Sequence, residues 1–106
     1  MKTKVYILIT KDGSWLGRVI LTSDGDFMSI TDYGNFCYSW SSTGADDFRK
    51  FILGLDVDYF GIKMFCGICD ISHSRETEKS AMLFAKKILP HLKEVLKKEI
   101  ESENNK

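Results

Sequence analysis

The residues best suited to metal chemistry have the spacing Cys66-x-x-Cys69-x-x-x-His73. Two cysteines separated by two residues can place both thiolates on one tetrahedral zinc ion, and His73 with the distant Cys37 would complete a Cys3His ligand set. A structural zinc site usually contains a second closely spaced pair of ligands, and this chain has none. The main prediction is therefore that no cofactor is bound, with zinc as the alternative.

The same two cysteines have two other interpretations. Cys66-Gly67-Ile68-Cys69 is similar to the CGPC redox motif of thioredoxins, but Ile68 replaces the proline of that motif. The strand that should precede the motif and the helix that should begin at it are not evident here. Burial of small apolar thiols is the more ordinary interpretation. Because no catalytic signature is present, the sequence predicts a protein that is not an enzyme.

Three aromatic residues, Phe36, Tyr38 and Trp40, alternate with the small residues at positions 37, 39 and 41. This alternation is typical of a strand that has one bulky face. Rings on a strand can stack on unpaired bases, so the alternative function is a single-stranded nucleic-acid-binding module. The surrounding sequence is acidic and lacks the Arg- and Lys-rich groove of such modules, which favours burial of the rings.

Four aspartates, at positions 46, 47, 56 and 58, lie at the start of one predicted helix and between two helices. Aspartate at such positions caps free backbone N–H groups, which explains these residues without catalysis or metal binding. Clustered carboxylates beside aromatic rings can also imitate nucleic acid when they contact a basic host protein. The predicted partner-binding residues on this hypothesis are Asp46, Asp47, Asp56, Asp58, Tyr33 and Tyr59.

Alternating apolar residues and regularly spaced turns predict four strands that position these groups. The strands span residues 4–11, 14–23, 26–33 and 36–40, and the turns are Asp12-Gly13, Asp24-Gly25 and Gly34-Asn35. The first strand places Val5, Ile7 and Ile9 on one face. The second strand is predicted to place Leu16 and Ile20 on one face and Trp15, Val19 and Leu21 on the other.

Helical spacing begins after the fourth strand. Thr43-Gly44-Ala45-Asp46 predicts a capped helix start, and Phe48, Phe51, Ile52 and Leu55 follow at helical spacing. A second short helix, capped by Asp56 or Asp58, carries Tyr59, Ile62 and Cys66 as its apolar positions.

A long apolar stripe predicts a C-terminal helix from about Ser74. Pro90 lies inside this stripe and removes one backbone donor. It predicts either a kink near Ile88 or a second helix that begins at Pro90. The stripe also allows a homodimer through the C-terminal helix.

Together these elements predict a single α+β domain over residues 1–101, with a frayed C-terminal tail over 102–106. Its architecture is a four-stranded antiparallel β-meander followed by two to three helices packed on one sheet face. The 106 residues are 43% hydrophobic, and 15 basic residues balance 15 acidic residues. Charge therefore favours neither nucleic acid nor a membrane as partner. Three cysteines, without a signal-peptide pattern or a long apolar run, predict a cytoplasmic protein.

A third of the chain resembles a pattern found in small uncharacterised proteins encoded by bacteriophages and prophages. The residues that carry the resemblance are Asp32-Tyr33-Gly34-Asn35-Phe36, Tyr38, Trp40, Phe48, Phe51, Leu55, Asp56, Asp58 and Tyr59. The resemblance implies a phage accessory protein in a bacterial host cell, and it implies no catalytic residue. Small phage proteins often bind and block a host protein, including components of CRISPR defence. We therefore expect a non-enzymatic protein that binds a host protein, with an anti-CRISPR-like inhibitor as one form.

Overall fold

The computed structural model describes residues 2–40, 47–66 and 75–104. In these ranges four strands come first and helices follow: β1 Thr3–Ile9, β2 Trp15–Thr22, β3 Asp26–Thr31, β4 Cys37–Ser39, α1 Phe48–Leu53, α2 Val57–Cys66 and α3 Arg75–Asn104. The strands pair antiparallel in the order β1-β2-β3-β4. The predicted α+β meander is therefore confirmed.

Glycines close the first two hairpins as the sequence predicts. Gly13 and Gly25 have φ angles of 88° and 96°, which a residue with a Cβ rarely adopts. These turns hold β1 against β2 and β2 against β3, so the strands can be short and still keep a fixed register.

A β-bulge shifts the alternation at the start of β2. Leu8 pairs with Gly17 while Ile9 pairs with Trp15, so Leu16 is an extra residue on the β2 side. The bulge buries Leu16 and turns Trp15 outward, where its side chain is 43% exposed. The prediction that Trp15 shares a face with Val19 and Leu21 is wrong, because one extra residue reverses the faces on either side of it.

The inner face of the sheet forms one core with the helices. Phe27 of β3 meets Phe60 of α2 edge to face, with 5.2 Å between ring centroids. Phe84 of α3 stacks on Phe60 at 6.1 Å and meets Phe27 at 6.3 Å. All three side chains are fully buried. Three aromatic rings therefore join the sheet, α2 and α3, and such pairs contribute beyond the area that they bury.

The buried face of α2 differs from the predicted one. Phe60, Gly61 and Met64 face the core, whereas Tyr59 and Ile62 are 37% and 55% exposed. The physical reason is close approach to α3. A Cβ on Gly61 would overlap the sulfur of Met82, so the glycine side of α2 can pack closest to α3.

The helix α3 is continuous through Pro90, so the alternative of a second helix beginning there is wrong. Pro90 is exposed, and the backbone carbonyl that loses its helical donor therefore lies on the solvent side. The predicted kink near Ile88 stays a prediction. The helix also continues through Asn104, three residues past the predicted end of the domain.

The apolar stripe of α3 is used within the chain. Its buried residues are Ala81, Phe84, Ala85, Ile88, Leu89, Leu92 and Leu96, each with no exposed surface. Six of these side chains, all except Leu89, belong to the predicted stripe that suggested a homodimer through this helix. Because they pack on the sheet and on α2, that interface would have to use other residues of α3, and it stays a prediction.

Replacing Phe84 with alanine should lower the free energy of unfolding by about 3–5 kcal/mol, since it leaves a cavity where three elements meet. The neighbouring Leu83 is 47% exposed, so Leu83→Ala should change stability by about 0.5 kcal/mol or less. Urea unfolding followed by circular dichroism measures both. Equal losses for the two variants would contradict this packing of α3.

Candidate functional site

The aromatic strand does not present an open stacking surface. Phe36 and Trp40 are only 8% and 7% exposed. Phe36 packs against Phe84 with 4.5 Å between ring centroids, and Trp40 contacts Phe48 and Phe51 at 5.9 Å and 5.5 Å. Helices α1 and α3 thus cover two of the three rings on which unpaired bases would stack, while Tyr38 is half-buried, and the nucleic-acid alternative stays a prediction.

Two of the four proposed zinc ligands lie in the described part of the chain. Cys37 and Cys66 are described, and both are exposed, so burial does not explain these two thiols. Cys69 and His73 lie outside the described residues. Residues 2–40, 47–66 and 75–104 contain no group of three His, Cys, Asp or Glu side chains arranged to hold a metal ion. The zinc alternative stays a prediction.

Asp47 has a structural role. It is the N-cap of α1, where its Oδ1 accepts a hydrogen bond of 2.9 Å from the backbone N–H of Arg49. Its Oδ2 also accepts from Nη2 of the same arginine at 2.6 Å. This hydrogen bonding holds the pKa of Asp47 below its usual value. Both carboxylate oxygens of Asp47 are therefore already engaged by Arg49, and the predicted partner-binding role of Asp47 stays a prediction. Asp46, which precedes it in the predicted cap, lies outside the described residues.

Arg49 connects α1 to the end of α3. Its Nη1 and Nη2 donate to the two carboxylate oxygens of Glu103 at 2.7 Å and 2.9 Å, and Nη1 also bonds Glu99. Strand β1 joins the same group, because Tyr6 and Lys4 each donate to Glu99 at 2.8 Å. We call these residues the Arg49 cluster: Lys4, Tyr6, Asp47, Arg49, Glu99 and Glu103.

The electrostatics of the Arg49 cluster favour the ionised carboxylates. Burial opposes ionisation of Glu99, but hydrogen bonds from Lys4, Arg49 and Tyr6 outweigh it and lower its pKa. Burial, together with the hydrogen bond to Glu99, raises the pKa of Tyr6 well above its usual value. The cluster therefore holds its charges at neutral pH and fastens three elements. Sequence reasoning missed it, since no local pattern relates Arg49 to acids about fifty residues away.

A second acidic group lies at the start of α2. Asp56 caps this helix by accepting a hydrogen bond of 2.7 Å from the backbone N–H of Tyr59. Asp56 and Asp58 are exposed, and neither forms an ion pair with a described residue. Their charges therefore remain available to a partner.

Tyr59 follows Asp58 in the chain, and side-chain contacts hold it in place. Its hydroxyl accepts a hydrogen bond of 3.3 Å from Nε1 of Trp40. The ammonium group of Lys63 lies 5.4 Å from the ring centroids of both Tyr38 and Tyr59, within the range of a cation–π contact. We call these residues the Tyr59 edge: Asp56, Asp58, Tyr59, Lys63 and Tyr38. The sixth predicted residue, Tyr33, is half-buried against the core in the turn before β4.

None of the described helices packs on the outer face of the sheet, and this face is strongly apolar. Directly paired strand residues lie on one face and form three rows across the sheet. The residues of these rows form what we call the open sheet face: Val5, Ile20, Met28 and Cys37; Ile7, Arg18 and Ile30; Ile9 and Trp15. Six of its apolar side chains are between 39% and 55% exposed. Arg18 is exposed and forms no ion pair with a described residue.

Comparison with known proteins identifies the family. The family model named phiTE_072, described as a phage family, matches residues 1–68. The chain belongs to this phage family. The matched region contains the whole sheet with α1 and α2, and it ends before α3. The resemblance to phage proteins is thereby confirmed. Searches of curated proteins and of solved structures found no match.

The open sheet face had a signal in the sequence. In β1 the residues on both sides of the strand are apolar, with Val5 and Ile7 facing outward and Leu8 inward. A strand with one solvated face should alternate apolar with polar residues. The departure from alternation therefore marked a second apolar face in this phage-family sheet. Among the described helices, none is long and apolar enough to cross a lipid bilayer.

The Arg49 cluster predicts how stability depends on pH. Asp47 and Glu99 have lower pKa values in the folded chain than in the unfolded chain. Their contribution is complete above the unfolded pKa values, about 4, and is lost as the pH falls through the folded ones. Arg49→Met should lower the free energy of unfolding at pH 7 by about 1–3 kcal/mol and should flatten its decline in acid.

Lys98→Met is the matched control. Lys98 and Glu94 form an exposed pair at 3.4 Å along α3, so this change should alter stability by about 0.5 kcal/mol or less. Urea unfolding of the three proteins from pH 7 to pH 3 measures these effects. An Arg49→Met protein that kept the full acid sensitivity of the original chain would show that other carboxylates cause it.

Proposed function

We propose that this phage-family protein acts without catalysis, by binding a protein of the host cell through the Tyr59 edge. The observation that supports this function is an exposed tyrosine whose position is fixed. Its hydroxyl is bonded to buried Trp40, and two carboxylates without ion pairs among the described residues lie beside it. Tyrosine and tryptophan are the residues that most often contribute large binding energies at protein interfaces.

The rigidity of Tyr59 matters for affinity. A side chain that is already ordered loses little conformational freedom when a partner binds, so more of the contact energy appears as affinity. Lys63 also contributes, since its ammonium group lies over both rings and limits their motion. The edge is therefore preorganised before any partner arrives.

The charge of the edge indicates the chemistry of the partner. Asp56 and Asp58 would be complementary to a surface rich in Lys and Arg, and such complementarity increases the rate of association. Proteins that hold nucleic acid present surfaces of this kind, including the basic channels of CRISPR effectors. An anti-defence inhibitor that occupies such a channel is the narrower form of this proposal.

A tagged pull-down from nuclease-treated host lysate, analysed by mass spectrometry, tests the proposal. We expect one host protein in stoichiometric amount. Asp58→Lys should reduce its recovery about tenfold or more, because reversing the charge replaces attraction by repulsion. Tyr59→Ala should also reduce recovery, whereas Tyr59→Phe keeps the ring and should retain most of it.

Glu101→Lys is the control for the change of charge. Glu101 is exposed on α3, outside the Tyr59 edge, so this variant should recover the partner at the original level. The proposal is wrong if Asp58→Lys and Tyr59→Ala both keep the partner. It is also wrong if nuclease treatment removes every partner from the original protein.

A further inference from the structure

The open sheet face supports an inference that does not depend on the proposed function. We propose that this face packs against the same face of a second copy of the chain, forming a two-fold symmetric dimer. The helices cover the inner face of the sheet, so a second sheet can approach the outer face without displacing them. The Tyr59 edge lies on α2 and β4, on the helix side, and remains free in such a dimer.

The exposed apolar area is of the size found at interaction sites. The six exposed side chains present about 500 Å² per copy, taking roughly 150–200 Å² for a fully exposed large side chain. The largest apolar patch of a typical monomer is about 300–600 Å², and patches of this size often mark interaction sites. Ile20, the stem of Arg18 and the adjoining strand ends bring the face towards the roughly 800 Å² per partner of a standard interface.

The composition of the face favours a second copy over a transient partner. Transient interfaces are about as polar as the rest of a protein surface, whereas homodimer interfaces are more apolar and have few charges. Within the three rows of paired residues Arg18 is the one charged side chain, and the next row on this face carries Asp26, which accepts a hydrogen bond from Thr22. A second copy is also present wherever the chain folds. It can therefore cover the apolar face before unrelated proteins associate with that face.

The strand register gives this dimer a simple geometry. Two sheets that pack face to face keep their strands within about 30° of each other. A two-fold axis in the interface, running between two of the rows, lays the Val5–Ile20–Met28 row on the Ile7–Arg18–Ile30 row of the second copy. Ile20 would then cover the aliphatic stem of Arg18, and the two guanidinium groups would be offset.

Sedimentation velocity of the full chain over a range of concentrations tests the dimer. The original protein should sediment as a dimer that dissociates on dilution. Ile7→Lys should weaken the dimer at least about 100-fold, because each copy then buries an extra cation beside Arg18. Ile7 is 48% exposed on an edge strand, where lysine is well tolerated, so the monomer should stay folded.

Two further variants make the test specific. Ile62→Lys introduces the same change at a residue that is 55% exposed on α2, and it should leave the dimer unchanged. Arg18→Met removes the one charge that dimerisation must desolvate, and it should tighten the dimer about tenfold or more. Circular dichroism of each variant checks the fold. If Ile7→Lys did not fold, Arg18→Met and Ile62→Lys would still decide the question.

Three results would overturn the inference. The first is a monomer at every concentration of the original protein. The second is a dimer that Ile7→Lys leaves intact or that Ile62→Lys weakens equally, which would place the interface elsewhere. The third is a weaker self-association of Arg18→Met, which would show that Arg18 pairs with a carboxylate of the second copy and does not lie beneath its Ile20.

Discussion

The contact of Phe84 with Phe27 and Phe60 is the interaction on which the rest of the structure depends. It joins the sheet, α2 and α3 at a single buried point. With Phe84 fixed there, α3 crosses the inner face of the sheet and α2 packs along α3 through Gly61. The Arg49 cluster then fastens the far end of α3 to α1 and β1 with charged groups. Every buried polar side-chain atom in the described part of the chain has a hydrogen-bond partner, as a well-specified core requires.

The described helices cover the inner face of the sheet, and the apolar side chains of its outer face are exposed. The two proposed surfaces therefore lie on opposite sides of the sheet. The Tyr59 edge is small, rigid and acidic, which suits recognition of a basic partner. The open sheet face is broad and apolar, which suits a more permanent association. Tyr59 and Ile7 therefore lie on surfaces with different chemistry, and a dimer formed through one face can present two copies of the other to its partners.

The family match covers the parts of the chain that form both surfaces. Residues 1–68 include every strand of the sheet and also α2, whereas α3 lies beyond the match. The helix that supplies much of the core is thus outside the matched region, and the surfaces proposed for binding are inside it.

The sequence by itself determined the order and type of the elements, because strand alternation, Asp-Gly turns and the helical stripe of α3 are local patterns. It also indicated that Phe36 and Trp40 would be buried, since aromatic rings favour a core. Only the tertiary structure decided the facing of Trp15, which depends on a bulge against β1, and the buried side of α2, which depends on contact with α3. The hydrogen-bond partners of Arg49 were also decided only by the tertiary structure. Contacts between residues far apart in sequence leave no local periodicity, so they become visible only when the chain is folded.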